Sequence, residues 1–302
     1  MGHSIDSQSS QTDFRYVEGR RFHNAENLVY HLPNDDDETD RLHSQHFIMR
    51  YVWQNNFSAP VDQILTTPGA KVLDIGCGAG SWSFDMATIR VSKMKCCVEV
   101  KIKPKNFEFV KADAQEGLPF DDNTFDYVFQ RFLLLGYAKE KWPYVINEIV
   151  RVLKPGGFLE LSEPSKVIDG GPATQRLWDC EVEVLEGKGG DYDITLKIEK
   201  YLQDQGKVEN IKKIVNKFYY GLQHTDNIKL SKAFVGNVIS VYASLKHVLS
   251  KKLQVSDEEY DELSKTSEKE LYELDTYVNL IRFYANKIQF INLLVYDIHK
   301  CL

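Results

Sequence analysis

The sequence predicts an α/β protein built on a doubly wound, mostly parallel seven-stranded sheet, with an antiparallel edge strand and added helices. Two observations predict this class. An apolar segment, residues 70–75, stops at glycines that alternate over residues 76–80. From there to residue 164 strand patterns and helix patterns alternate. Such alternation builds a parallel sheet, because each helix crosses back over the sheet in the right-handed sense.

The glycine segment predicts a buried first strand, a tight turn and the start of a helix. Val72, Leu73 and Ile75 suit a strand that is covered on both faces. Glycine lacks a Cβ atom, so the turn can adopt positive φ and a ligand can lie close to its backbone. The following helix would direct free N–H groups at that ligand. A nucleotide-like ligand is therefore expected.

The spacing of the glycines distinguishes between two possible nucleotide-like ligands. A dinucleotide site has G-x-G-x-x-G, but its third glycine position is Ser81 here. Asp74 stands two residues before the first glycine, and the segment resembles motif I (D-x-G-x-G-x-G) of class I S-adenosylmethionine-dependent methyltransferases. The resemblance implies S-adenosylmethionine as cofactor, and the expected turn residues are Asp74, Gly76, Cys77, Gly78 and Gly80. A nicotinamide oxidoreductase is the competing hypothesis.

The N-terminal part divides into a polar segment, residues 1–13, which we expect to be disordered, and a helical or lid segment, residues 14–69. Asn34 or Asp35 can cap a helix whose apolar stripe begins after Asp40. Arg20 and Tyr30 are candidate lid or substrate residues. The alternative for both residues is a purely structural role in packing and helix capping.

The ends of the next strands supply further candidate cofactor residues. Glu99 ends a predicted strand from Lys95 about twenty residues after the glycines, where a carboxylate can bind ribose; a surface acid is the alternative. A predicted third strand, residues 106–114, ends in Asp113 and Ala114 at the expected adenine edge. A fourth strand from Phe125 delivers Gln130 and Arg131 to the floor near the methyl group. Carboxyl ends of parallel strands share one crevice, so these residues should meet.

The remaining pattern completes a Rossmann-like sheet. A helix with an apolar stripe from Trp142 is expected to end at Lys154-Pro155-Gly156-Gly157, and a strand follows at 158–164. Residues 172–205 are helical in tendency, 208–218 form a strand, and Ser256 begins a helix with a capping box. Residues 277–284 form the antiparallel strand. We expect a cofactor-binding methyltransferase core at 70–165 and a completion of the sheet with helical insertions at 166–302.

Composition limits the partners. The 302 residues carry a net charge of -7, which argues against nucleic acid as a partner. The apolar runs are too short to span a bilayer, so no membrane association is expected. Five cysteines without C-x-x-C spacing favour reduced thiols, as in the cytoplasm or nucleus. Histidines such as His43 and His46 lack metal-site spacing, and no metal is assigned.

Beyond the glycine turn, the chain resembles fungal LaeA-like (TAM-domain) methyltransferases over roughly residues 14–290. The resemblance rests on Gly19 to Asn24, Tyr30 to Asp35, Glu38, Arg41-Leu42, Gln45-His46, Val72 to Gly80, Asp113-Ala114, Gln130-Arg131 and Leu153 to Gly157. It implies methyl transfer to an unidentified acceptor, either a small molecule or a protein. Some family members regulate secondary metabolism in the nucleus, which implies regulatory protein partners.

The sequence departs from that family at the second strand. Glu99 stands where the family has Asp, and the loop up to Pro104 is short. A non-catalytic regulatory or binding protein with a degenerate cofactor site is therefore the alternative function. Methyl transfer mainly requires that acceptor, methyl group and leaving sulfur be held in line. No residue stands out from the sequence as a general base, so no catalytic residue is assigned.

Overall fold

The structure, a computed structural model, describes residues 14–24, 29–88, 93–96, 104–224 and 227–289. The elements of these residues are β1 (Phe14–Val17), β2 (Arg20–His23), α1 (Asp36–Trp53), α2 (Asp62–Thr66), β3 (Lys71–Ile75), α3 (Ser81–Thr88), β4 (Lys93–Cys96), β5 (Phe107–Phe109), β6 (Phe125–Arg131), α4 (Trp142–Val152), β7 (Leu153–Ile168), α5 (Pro172–Gly187), α6 (Ile198–Gln205), β8 (Val208–Tyr219), α7 (Ile228–Leu253), α8 (Asp257–Glu273) and β9 (Tyr277–Lys287).

Seven of these strands form one sheet in the order β5-β4-β3-β6-β7-β9-β8. Strands β5, β4, β3, β6 and β7 run parallel, and β9 pairs antiparallel with both β7 and β8. The predicted fold class is confirmed. The antiparallel strand β9 lies second from the edge, and β8 is the edge strand beside it.

The side chains of β8 suit a strand at the edge of the sheet. Val278 and Phe283 of β9 are buried, whereas Lys212, Lys213 and Lys217 of β8 are exposed. Charged lysines on an edge strand oppose pairing with a further strand. The basic run of the sequence is thus a solvated edge of the sheet.

Apolar side chains cover both faces of the sheet. On one face, α4 buries Val145, Ile146 and Ile149 against the strands. On the other, Trp82 of α3 stacks on Phe129 of β6 with ring centroids 4.0 Å apart. This packing fixes α3, and with it the glycine turn that precedes the helix.

Helix α1 begins at Asp36 and is capped by Asp35, one of the two predicted caps, which accepts a hydrogen bond from the Glu38 N–H. Several other element boundaries differ from the prediction. Strand β5 ends at Phe109, well before Ala114: only Phe107–Phe109 pair with β4, and Asp113 forms an Asx turn by accepting from the Gln115 N–H.

Helix α4 ends at Val152, and residues 154–157 form an irregularity inside β7 instead of a separate turn. The register shifts there, because Phe125 pairs with Leu153 and Tyr127 with Phe158. Strand β4 begins at Lys93, two residues earlier than predicted. The expected disorder of residues 1–13 and the predicted position of Glu99 lie outside the described residues.

Helix α7 was not predicted as a separate element. Its 26 residues pack on α1, α5 and α8. None of the helices in the described ranges is both long and apolar enough to cross a membrane.

Candidate functional site

The glycine turn lies at the carboxyl end of β3, in the middle of the parallel strands. Gly76, Gly78 and Gly80 have φ of 63°, 53° and 78°, in the left-handed region that favours glycine. The Gly80 N–H donates to the Cys77 carbonyl at 2.8 Å, and α3 follows at once. Gly76 and Gly78 are exposed and Cys77 is half-buried. The turn therefore presents open backbone at the edge of the sheet.

Two leucines lie directly over the turn. A Cβ atom at Gly76 would lie 2.6 Å from Cδ2 of Leu133, and one at Gly78 would lie 3.3 Å from Cδ1 of Leu42. Leu42 belongs to α1 and Leu133 follows β6, so both approach from outside the strand that carries the turn. The backbone conformation favours glycine at both positions, and a Cβ atom at either one would also displace the end of a leucine side chain.

Asp74 joins the turn to the helix. Its carboxylate is buried and accepts a hydrogen bond from Ser83 Oγ at 2.5 Å. Burial raises the pKa of Asp74 to about 7, although the bond from Ser83 and the charge of Arg131 act in the opposite direction. The acid that the sequence singled out thus anchors α3 beneath the turn.

The end of β6 brings Gln130 and Arg131 to the same edge. Gln130 is buried, and its Oε1 accepts from the Tyr137 hydroxyl at 3.1 Å. Burial lowers the pKa of Arg131 to about 10, while Asp74 acts to raise it. The Arg131 guanidinium lies 3.4 Å from Nδ1 of His46.

Glu163 of β7 follows Ser162, the partner of Arg131 at the end of β6, and it fixes the chain after β6. Its Oε1 accepts from the Leu133 N–H at 2.9 Å and its Oε2 from the Leu134 N–H at 3.2 Å. Burial raises its pKa to about 8. Glu163 was not among the predicted site residues, because in sequence it is one acid within an apolar strand.

The predicted adenine residues lie in the turn after β5. Asp113 is exposed and Ala114 is buried. Gln115 connects this turn to the segment after β6, since its Oε1 accepts from the Ala138 N–H at 2.9 Å. The turn therefore lies beside the other strand ends. Glu99 is outside the described residues, and its role stays a prediction.

Helix α1 is held across α3 by its histidines. Nδ1 of His43 lies 2.6 Å from Ser81 Oγ, and Nε2 of His46 lies 3.0 Å from Asp85. Arg50 forms an ion pair with Asp85 at 2.9 Å. Over the ranges that the structure describes, no group of three or more His, Cys, Asp or Glu residues could hold a metal ion.

A cavity of about 180 Å³ opens beside the turn. Its lining is mostly apolar and aromatic and includes Leu42, which also lies over the turn at Gly78. Tyr30 lines the cavity. Arg20 does not: it pairs with Asp35 at 2.5 Å and donates to Ser244 Oγ at 3.3 Å. The structure thus places the two candidate lid residues in different environments.

Comparison with known proteins identifies the core of this arrangement. Residues 72–157, which include the turn and the strands β3 to β6, match the family described as a methyltransferase domain. Residues 72–157 are thus similar to a methyltransferase domain. This match confirms the methyltransferase prediction, and with it S-adenosylmethionine as the cofactor that the family implies. It leaves the nicotinamide hypothesis without support.

Two fungal relatives extend the similarity beyond that domain. The methyltransferase pytC of Aspergillus terreus is 29% identical over 224 residues, 67% of each chain. The secondary metabolism regulator laeA of Coprinopsis cinerea is 29% identical over 154 residues, 48% of this chain and 38% of that protein. Among solved structures, Haemonchus contortus phosphoethanolamine N-methyltransferase 2 is similar at 19% identity and a TM-score of 0.47, covering 84% of this chain and 61% of that one.

Proposed function

We propose that this protein binds S-adenosylmethionine over the glycine turn and transfers its methyl group to an acceptor in the adjoining cavity. The observation that supports this most directly is the position of Leu42. The same side chain lies over the turn at Gly78 and lines the cavity, so a donor on the turn and an acceptor in the cavity would be neighbours.

The residues at the strand ends fit this cofactor. Three glycines in the left-handed region give the turn a backbone conformation that other residues rarely adopt. In this proposal the turn from Asp74 to Gly80 holds the amino-acid end, Glu99 binds ribose, and Asp113 and Ala114 bind adenine. Gln130 and Arg131 lie near the methyl group. Bound S-adenosylmethionine supplies an electrophilic methyl group on a sulfonium.

The chain itself contributes position and exclusion of water. Leu42 and Phe132 belong to the apolar wall of the cavity, and Leu133 lies over the turn next to it. The acceptor would be held against this wall, which keeps water from the reacting atoms and restricts its orientation. Phe132 adopts a φ of 58°, and Glu163 holds the two residues after it. Of the residues in the wall, we expect Phe132, with its strained backbone, to be the most sensitive to substitution.

A role in secondary metabolism belongs to the same proposal. Its support is the similarity to a protein named a secondary metabolism regulator and to a fungal methyltransferase. Regulatory protein partners, and a location in the cytoplasm or nucleus, remain part of this proposal.

Calorimetric titration with S-adenosylmethionine and S-adenosylhomocysteine tests the proposal. We expect micromolar binding by the wild-type chain and a loss of more than tenfold in affinity for Gly78→Arg, because that side chain would fill the space over the turn. Gly69→Arg is the matched control: Gly69 also has positive φ (86°), but a Cβ atom there meets nothing within 4 Å.

Both variants should lose about 1–2 kcal/mol of stability from the left-handed backbone, and only Gly78→Arg should lose binding. Unchanged binding by Gly78→Arg would refute the assignment of the turn. No binding by the wild-type chain would favour the alternative, a non-catalytic protein with a degenerate cofactor site.

A further inference from the structure

One acid lies in the wall of the cavity. Glu181 of α5 is 3% exposed, and its Oε1 accepts a hydrogen bond from the Tyr192 hydroxyl at 2.6 Å. Two more polar groups of the lining are buried: the Tyr242 hydroxyl and Nε1 of Trp178 have no hydrogen-bond partner among the described residues. Buried polar groups without partners are rare in proteins, and they mark places where a ligand can bind.

The charge of Glu181 is not balanced by the lining. Arg41 is the one basic residue in the described lining, and it pairs with Glu38 through bonds of 2.6 and 2.8 Å. No ion pair to Glu181 is found within the described ranges. Burial raises the pKa of Glu181 to about 7, against the bond from Tyr192 and the charge of Arg41. Near neutral pH the cavity therefore gains a negative charge without a cation.

We propose that the methyl acceptor is a small, mostly apolar amine that binds as an ammonium ion beside Glu181. This inference rests on the proposed function and names its substrate class. An ammonium ion would pair with the buried carboxylate, which is costly to leave unpaired. The rings of Tyr30, Trp178 and Tyr242 in the lining suit a cation, because aromatic faces attract it.

The size and the charge of the cavity favour a small amine over a carboxylate or an alcohol as acceptor. An apolar cavity of about 150 Å³ is known to hold benzene, so about 180 Å³ accommodates one ring with a short side chain. A carboxylate ligand would meet the like charge of Glu181. A neutral alcohol would leave that charge unpaired.

Glu181 also offers a place for the proton that the amine must lose. An ammonium ion has no lone pair, so it cannot accept a methyl group. Transfer of one proton to the carboxylate breaks an N–H bond, forms an O–H bond, and leaves a neutral amine beside a neutral acid. A carboxyl that titrates near neutral pH is better matched to this transfer than one that titrates at about 4.

Calorimetric titration of the full chain at pH 8 with 2-phenylethylamine and 2-phenylethanol tests the inference. The two probes have the same ring and chain length and differ in charge. We expect the amine to bind at least tenfold more tightly than the alcohol. Glu181→Gln should remove this preference. Glu183→Gln should keep it, because Glu183 lies two residues away on the same helix and pairs with Lys252 on the surface.

The pH dependence of the wild-type chain provides a measurement that does not depend on a variant. Lowering the pH from 8 to 5.5 should weaken amine binding by about tenfold or more, as Glu181 gains a proton, and should leave alcohol binding unchanged. The charged or titratable groups that interact with Glu181 are Arg41, Tyr192, Tyr220, Tyr242 and Tyr260, together with the Cys180 thiol, whose pKa burial raises above 9.0. The pKa values of Arg41 and of the tyrosines are all raised above ordinary values of 10 or more, so all of these groups keep their charge over this range.

Titration of the same samples with S-adenosylhomocysteine separates the two proposals. Suppose first that the wild-type chain binds S-adenosylhomocysteine but shows no preference for the amine over the alcohol: the inference is then wrong and the proposed function stands. The same conclusion follows if Glu181→Gln binds S-adenosylhomocysteine and keeps the preference for the amine. If the wild-type chain fails to bind S-adenosylhomocysteine, the proposed function fails, and the amine preference is still measured by itself. Absence of amine binding overturns the inference in either case.

Discussion

Three buried carboxyl groups define the candidate site at the scale of single residues. Asp74 lies near the end of β3, Glu163 lies in β7 on the other side of β6, and Glu181 lies in the cavity wall. Burial raises the pKa of each, to about 7, 8 and 7. Raised pKa values of this kind concentrate at functional sites, where the fold tolerates a loss of stability. Asp74 and Glu163 each hold backbone or helix in place, whereas Glu181 has, among the described residues, only Tyr192 as a hydrogen-bonded neighbour.

Glu181→Gln should change the pH dependence of stability. In the folded state the Glu181 carboxyl keeps its proton up to about pH 7, whereas in the unfolded chain it loses the proton near pH 4.5. The folded state therefore binds more protons between these two pH values. The stabilisation is complete below pH 4.5 and is lost as the pH rises through 7. Between pH 5.5 and 8.5 the wild-type chain should lose about 2 kcal/mol relative to the variant, measured by urea unfolding. Glu183→Gln should show no such trend. If the difference in unfolding free energy between the wild-type chain and Glu181→Gln did not change with pH, Glu181 would not be titrating in the folded state.

At the scale of elements, α1 determines whether turn and cavity form one site. Its Leu42 lies over the turn and lines the cavity, its histidines bind α3, and its first turn is tied to β2 through the pair of Arg20 and Asp35. Arg20 also reaches Ser244 of α7. Arg20 thus pairs with the residue that caps α1, and its role as a lid or substrate residue stays a prediction. Tyr30, in the cavity wall, keeps the role of a substrate residue as a prediction.

Asp35→Ala should destabilise the protein by about 1–2 kcal/mol, because α1 loses its cap and Arg20 loses its partner. The Arg20 guanidinium holds the pKa of Asp35 at about 2, below the ordinary 3.8, so this contribution is present above pH 4 and is lost as the pH falls through 2. Asp37→Ala, at an exposed position in the same turn, should cost about 0.5 kcal/mol or less. Equal losses for the two variants in urea unfolding would argue against the cap.

At the scale of the whole molecule, a buried polar cluster joins the N-terminal segment to the antiparallel end of the sheet. Glu160 of β7 accepts from the Ser58 and Ala59 N–H groups at 2.8 Å. Arg282 of β9 lies 3.4 Å from Glu160 and donates to Ser58 Oγ at 3.0 Å. Both charged side chains are at most 1% exposed. The cluster connects the chain after α1 to strands that lie more than one hundred residues further along the sequence.

Arg282→Met should lower the free energy of unfolding by about 3–5 kcal/mol, because it leaves Glu160 buried without a cation. Adding Glu160→Gln to that variant should recover part of the loss. Lys212→Met, on the exposed edge strand β8, should change stability by about 0.5 kcal/mol or less. A loss for Arg282→Met no larger than that of Lys212→Met would show that the pair contributes little.

The sequence by itself determined the parallel half of the sheet and the glycine turn. These features are local: a buried strand, a run of glycines and an amphipathic helix are each encoded by adjacent residues, as in Val72 to Gly80 and in α4. Asp74 could be singled out because its distance from the glycines is a matter of spacing. The same reasoning extended the third strand to Ala114, since no local pattern shows where pairing with β4 stops.

Only the tertiary structure decided which distant residues complete the site. Glu163 and Glu181 are unremarkable acids in sequence, and they become buried partners of backbone and cavity because β7, α5 and α7 converge there. The position of β9 between β7 and β8 was likewise decided by burial on both faces, which no single strand specifies. Burial is a property of neighbours brought together by folding, and the shifted pKa values that give this site its chemistry follow from burial.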